Sequence, residues 1–207
     1  MRPLLALLAF ALAGLGGSGC TPDPAPEVDR AALAADWRAW VAGRDSLFRS
    51  GATPLLPRDT ATFDGLDYFP YDSALAVPAA LVPALERDTF AFPTTSGTLQ
   101  PYVTAGHLVF AAGGVQRRLE AFEPVGDPTR LFVPFRDATN RAETYGGGRY
   151  LDLPTDSTAV VALDLNRAYN PYCVYNVSYS CPLPPAENVL SFPVTAGERM
   201  PSGYGAE

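Results

Sequence analysis

Residues 107–122 read HLVFAA, then Gly113-Gly114, then VQRRLEAF. Two runs of alternating apolar and polar residues flank two glycines, and a two-residue turn with positive φ at both central positions is the geometry that joins tightly paired antiparallel strands. The stretch predicts a β-hairpin. Downstream, RLFVPFRDATNRAETYGGGRYLDL (130–153) repeats the design with a longer turn around Asn140 to Ala142. Its alternation puts Leu131, Val133 and Phe135 on one face and Phe132, Pro134 and Arg136 on the other. Gly146, Gly147 and Gly148 in its second half predict a bulge or a close backbone approach. TAVVALDLN (158–166) predicts a further strand, with Val161, Leu163 and Leu165 facing one way and Asp164 and Asn166 the other. ENVLSFPVTAGE (187–198) predicts a last one.

Upstream of the hairpin the periodicity changes. From Asp29 to Arg49, Leu33, Trp37, Trp40, Val41, Leu47 and Phe48 fall near helical spacing behind Asp29 as N-cap, which predicts an amphipathic helix packing its two tryptophans on the sheet. Residues 51–95 are broken by Pro54, Pro57, Pro70, Pro78, Pro83 and Pro93, and predict short strands and turns, among them 67–69 and 89–92. The sum is a mainly β domain, an antiparallel barrel or sandwich with one N-terminal helix packed on it.

Composition narrows the chemistry. The 207 residues suffice for one well-buried domain, and 47% hydrophobic with 18% charged residues is the balance of a globular chain. A net charge of −7 repels phosphate backbones, so nucleic acid is excluded as a partner class. All 15 basic residues are arginine, which removes Schiff bases, Ser-Lys dyads and the P-loop lysine. A single histidine, His107, leaves no multi-histidine metal site and no H-E-x-x-H protease, and it is assigned an edge or core place. No G-x-S-x-G elbow and no dinucleotide-binding glycine motif is present, so no cofactor is implied.

The first 19 residues carry one positive charge at Arg2 and an apolar run from Leu4 to Leu15, too short to span a bilayer and of signal-peptide length. They end in Gly17-Ser18-Gly19-Cys20, which resembles a lipobox whose cysteine becomes the acylated N-terminus and the membrane anchor. Gly17 stands where such sites carry an aliphatic residue, which leaves ordinary secretion with Cys20 free as the alternative. Residues 20–28 are then a proline-rich, acidic tether, and the single domain runs from 29 to 207.

Two stretches hold more polar and aromatic residues than a core needs: 136–150, with Arg136, Asp137, Glu143, Tyr145 and Arg149, and 164–188, with Asp164, Asn166, Arg167, Tyr169 and Asn170. The segments FVPFRDATN, ETYGGGRYLDL, LDLNRAYNPYCVYN and SCPLPPAENVL, ending in AGE, resemble the hallmark segments of the domain-of-unknown-function 1684 family. That resemblance covers the second half of the chain closely and the helix around Trp37 loosely. It implies a bacterial, often lipoprotein, single-domain family with no established activity. The family pattern carries a glycine where this chain has Arg141, which implies a looser hairpin tip here.

Cys173 and Cys181, eight residues apart, most simply form a disulfide in an exported protein, worth about 2 to 3 kcal/mol for so short a loop. A reduced redox pair, or a zinc site completed by His107 and a carboxylate, are the competing readings. For the polar residues, one reading is a ligand pocket: Arg136 and Arg149 hold an anionic group, Asp164 and Asn166 fix polar atoms, and Tyr145 or Tyr169 stacks. The other is a buried arginine–carboxylate network tying loops to the sheet. Three functions follow: a binding or structural module of the envelope, taking a small anionic or glycan ligand or a protein partner; a glycosidase-like hydrolase pairing Asp137 or Glu143 with Asp164; and thiol chemistry at the two cysteines.

Overall fold

A computed structural model describes residues 28–155 and 160–202. The leader, Cys20 and all but the last residue of the tether lie outside the described residues. Helix α1 (Arg30–Phe48) starts where Asp29 caps it, its carboxylate accepting from the Ala31 and Ala32 amides at 3.1 and 3.0 Å. Among the described residues no helix is long and apolar enough to cross a membrane.

Seven strands follow: β1 (Ala76–Pro83), β2 (Thr89–Pro93), β3 (Leu99–Ala112), β4 (Val115–Pro124), β5 (Arg130–Phe135), β6 (Arg149–Pro154) and β7 (Val160–Asp164). They form one antiparallel sheet in the order β6-β5-β4-β3-β1-β7, with β2 beside the first half of β3. The sheet curls into a half-barrel. Its two end strands do not pair directly, but Tyr169, just past β7, exchanges two 2.9 Å backbone hydrogen bonds with Tyr150 of β6 and narrows the gap.

The deciding hairpin forms as its sequence requires, with Ala112 opposite Val115 and Gly113 and Gly114 at φ +60° and +73°. β3 is longer than its alternation suggests, because the strand continues back through a bulge at 104–106. Gly106 makes that bulge possible, since a Cβ there would lie 2.2 Å from the Val82 carbonyl oxygen. Upstream, Pro54, Pro57 and Pro70 lie in turns and coil as expected, but other prolines are accommodated within strands. Pro78, Pro83, Pro93 and Pro101 each sit at a position paired with a single neighbouring strand, where a missing N–H costs no ladder bond on a second side.

Inside the curl lies the main core, built from Leu108, Leu119, Leu131, Val133, Phe135, Leu151, Val161, Leu163 and Leu165 among others, in the alternation expected. The outer face is not left to water. Phe92, Tyr102, Phe122, Phe132 and Tyr150 form a second, aromatic layer on it, with centroids 4.7 to 5.9 Å apart along the chain of contacts.

Several expectations change. The segment 187–198 is not a strand. Pro193 and a left-handed Gly197 (φ +77°) interrupt it, and it is held by single bridges at Val189 and Glu198 and by side chains described below. TAVVALDLN leaves the sheet at Asp164, whose carboxylate caps a 3-10 turn over Leu165–Arg167 by accepting from the Asn166 amide at 3.0 Å. Asp164 and Asn166 therefore meet through a cap, with the Asn166 Nδ2 donating to the Asp164 Oδ1 at 2.7 Å, and not by sharing a strand face. The tryptophans of α1 pack on a loop layer, not on the sheet: Trp37 lies against Tyr68 and Tyr71 and donates to the Asn166 carbonyl at 3.0 Å. The tip at 139–145 is not loose. Thr139 and Thr144 hydroxyls meet at 2.8 Å, Asn140 donates to the Tyr145 carbonyl at 2.9 Å, and Arg141 itself takes φ +71°, the conformation for which glycine is suited.

Candidate functional site

The aromatic outer layer opens into a cleft of about 460 Å³. Its floor comes from alternate positions of the β5/β6 hairpin: Arg130 and Phe132 on β5, Tyr150 and Asp152 on β6, all pointing away from the core. Trp40 and Arg44 of α1 make one wall, and Arg167, Tyr169, Tyr172 and the 179–182 loop the other. The volume falls in the range of small-molecule sites, and apolar ring faces interspersed with a few polar groups are the usual lining of such sites.

Three guanidinium groups reach this cleft, in different states. Arg130 is neutralised by Asp152 and by Asp127, the latter at 3.0 Å. Arg44 donates to Glu198, which is wholly buried, and lies 4.7 Å over the Tyr169 ring; burial works against its charge, but the Glu198 carboxylate more than offsets this and raises its pKa. Arg167 forms no ion pair among the described residues. It sits 5.7 Å over Trp40, and its Nε is buried without a hydrogen-bond partner. Tyr150 and Tyr169 keep their protons: burial raises both, and Tyr169 donates to Asp152 at 2.7 Å. Among the described residues Asp152 is the single carboxylate on the lining.

The residues singled out from the sequence divide sharply. Arg167 and Tyr169 line the cleft, and Tyr145 lines a second cavity of about 350 Å³. Arg136, Asp137, Glu143, Arg149, Asp164, Asn166 and Asn170 line neither. Arg149 is wholly buried, paired to Asp137 at 2.9 Å and donating to the carbonyls of Val194, Ala196 and Glu198; burial lowers its pKa against the pull of Asp137. Asn166 grips the backbone of Asp72 through two 2.8 Å bonds. Asn170 donates its amide to Glu198 at 2.7 Å and its side chain to the Arg199 carbonyl at 2.7 Å. Asp137, Arg149, Asp164, Asn166 and Asn170 are the buried network, whereas Arg136 is half-buried and Glu143 exposed, and Asp137 and Asp164 do not face each other across either cavity. Trp40, Arg44, Arg130 and Asp152 were not anticipated. The signal for Arg130 and Asp152 was the outward alternation of the β5/β6 hairpin, which put charged and aromatic side chains on the face opposite the core; Trp40 and Arg44 reach the cleft from α1.

Asp164 carries a testable consequence. Burial raises its pKa against the pull of the Asn166 hydrogen bonds, and its Oδ2 has no partner. A folded pKa above the unfolded one means stability that is lost as pH rises through the folded value. Asp164→Asn keeps an oxygen acceptor for the Asn166 donors and removes the charge. We expect it to be more stable than the parent near neutral pH in urea unfolding, with the advantage fading as pH falls and the parent carboxyl takes up its proton. An advantage that grows on acidification would contradict this assignment.

Cys173 and Cys181 are free thiols side by side in the structure, the Cys173 amide donating to the Cys181 sulfur at 3.2 Å. Cys173 faces the second cavity and Cys181 the cleft. Hydrogen bonds from the Cys181 thiol, and then from Thr95 and Tyr145 hydroxyls, draw the Cys173 thiol down to about 7 against its partial burial. The same contact, with burial, pushes Cys181 up, and burial beside Cys173 pushes Tyr145 up to about 12. His107 sits in β3 opposite Val82 and Glu120, away from the cysteine pair's cavities. Among the described residues no three His, Cys, Asp or Glu side chains converge as a metal site requires.

A curled antiparallel sheet with one helix laid beside an aromatic, arginine-lined cleft on its outer face defines a β half-barrel domain. The chain belongs to the family described as protein of unknown function DUF1684, whose profile matches residues 61–199. It is similar to the uncharacterized protein from gene locus rrnAC0354 of Haloarcula marismortui, solved by solution NMR. The two are 35% identical and superpose with a TM-score of 0.68 over 83% of this chain and 96% of that one. No curated protein matches.

Proposed function

We propose that this protein is a binding module of the cell envelope, exported by its N-terminal leader and anchored through lipidated Cys20. Its cleft captures a small ring-bearing anion, such as an aromatic or sugar acid. The observation that carries the binding reading is Arg167. It is the one cleft arginine without a carboxylate at ion-pair distance among the described residues, and it is set over the Trp40 face beside the rings of Tyr172 and Tyr179. An unpaired, partly dehydrated guanidinium favours a carboxylate or phosphate oxygen, and the rings favour a flat apolar or sugar face against them. Paired-carboxylate hydrolysis draws less support, because it needs a second carboxyl group across the cleft from Asp152.

One experiment with two arms tests the proposal. In the first, tryptophan fluorescence and thermal unfolding are followed while sugar acids, aromatic carboxylates and nucleotides are added to the protein and to Arg167→Ala. A ligand is expected to perturb Trp40 emission and raise the parent's melting temperature, while the variant, folded as well as the parent, binds at least about tenfold more weakly. Equal binding by both would remove Arg167 from the site, and no response from any anion would remove the cleft. In the second arm, Cys20→Ser is expected to move the exported protein from the membrane fraction to the soluble one. An unchanged distribution would exclude anchoring through Cys20.

A further inference from the structure

The cysteine pair is built as more than a static brace. Cys173 and Cys181 lie side by side as buried free thiols, the Cys173 amide donating to the Cys181 sulfur at 3.2 Å, and the Cys181, Thr95 and Tyr145 side chains around Cys173 draw its thiol down. Thr95 in turn fixes Cys181 from both sides, donating its amide to the Cys181 carbonyl at 3.0 Å and accepting the Cys181 amide on its hydroxyl at 3.1 Å. Cys173 also borders a cavity of about 350 Å³, bounded by Thr95, Ser96, Tyr145 and Tyr179, which is large enough to admit a small thiol compound. The partner sulfur sits on the opposite side, toward the cleft. An entry side, an activated sulfur and a second sulfur within reach are the parts of a thiol–disulfide exchange centre.

We propose that Cys173 and Cys181 form a reactive dithiol–disulfide pair in which Cys173 attacks a low-molecular-weight disulfide entering through the second cavity and Cys181 resolves the product. In the first step the Cys173 thiolate bonds to one sulfur of the external disulfide, whose S–S bond breaks and releases one thiolate, which takes up a proton. In the second, Cys181 loses its proton and bonds to the Cys173 sulfur, displacing the other half as a second thiol. The protein dithiol is oxidised by two electrons and the external disulfide is reduced to two thiols. Because Cys181 and its neighbours 179–182 line the cleft, closing this link ties one cleft wall to the 172–174 turn.

The test treats the reduced protein, on a Cys20→Ser background, with glutathione disulfide and follows intact mass and peptide maps. The parent is expected to pass to an internal Cys173–Cys181 disulfide that dithiothreitol reverses in the folded state. Cys181→Ser is expected to stop with one glutathionyl group on Cys173, and Cys173→Ser to react at least about tenfold more slowly. Equal or faster adduct formation on Cys181 in Cys173→Ser would overturn the assignment, as would an internal disulfide that opens only on unfolding. Should either serine variant fail to fold, limiting iodoacetamide on the folded, reduced parent gives the same decision. Cys173 labelled before Cys181 supports the proposal, and the reverse order overturns it.

Discussion

Arg149→Ala is expected to lose about 3–5 kcal/mol of folding stability, a large part of the whole for a domain of this size. The side chain is wholly buried, and its guanidinium is spent on one carboxylate and three backbone carbonyls of the 194–198 segment. That segment has no strand ladder of its own, so these bonds take the place of one. Removing the cation leaves Asp137 buried with its Oδ1 still served by the Thr139 amide and hydroxyl and by the Val194 amide, but its Oδ2 bare. Three carbonyls lose their donor at the same time, each at a desolvation cost. Arg149→Lys should recover only part of the loss, since a single ammonium cannot reach four acceptors fanned around a planar group. Arg136→Ala is the control, because Arg136 is only half-buried and forms no ion pair among the described residues. Urea unfolding of the three variants decides the matter. An Arg149→Ala loss within about 0.5 kcal/mol of the Arg136→Ala value would show that the segment is held by something else.

Arg149 also marks where sequence reading stops. The hairpins, the facing of Leu131, Val133 and Phe135, and the helix cap at Asp29 were legible because each is local: turn chemistry, a period of two, a capping carboxylate. The family was legible for a similar reason, since its hallmark segments fall within the stretch its profile matches. Whether Arg149 faces a ligand or Asp137 is a question about residues twelve apart in sequence and about a C-terminal segment 45 residues further on. Nothing periodic encodes it. The cleft was missed for a related reason. Its floor residues alternate correctly on β5 and β6, but only the arrival of Trp40 and Arg44 from the far end of the chain turns that outward face into a concavity. The closing segment was misread because Val189, Leu190, Val194 and Ala196 look like a strand when the interruptions at Pro193 and Gly197 are not weighed.

Glu198→Ala is the companion prediction, with a loss of about 3–5 kcal/mol and a different signature. The Glu198 side chain is wholly buried and accepts from Arg44 of α1, from the Asn170 amide at 2.7 Å and from the Tyr175 hydroxyl at 3.0 Å. Helix α1 buries only Phe48 completely, so its hold on the rest of the domain rests on ring contacts, the Arg44 to Glu198 pair, and bonds from Trp37 to the Asn166 carbonyl, from Arg30 to the Ser73 carbonyl and from the Leu66 amide to Asp45. Truncation strands the Arg44 guanidinium in a nearly dry site, where it can regain water only by swinging outward with its helix. Hydrogen exchange should therefore show residues 30–48 losing protection before β3 and β4, whereas Arg149→Ala lowers protection across the sheet. Glu198→Gln keeps an oxygen for Asn170 and Tyr175 but not the charge for Arg44, and should fall between. Because Trp40 and Arg44 form one wall of the cleft, the helix that loosens in Glu198→Ala is the element that shapes the site. Early exchange confined to α1 would make the ion pair the clasp that holds the cleft closed on that side, while uniform exchange would assign that task to the Trp37, Trp40 and Phe48 rings.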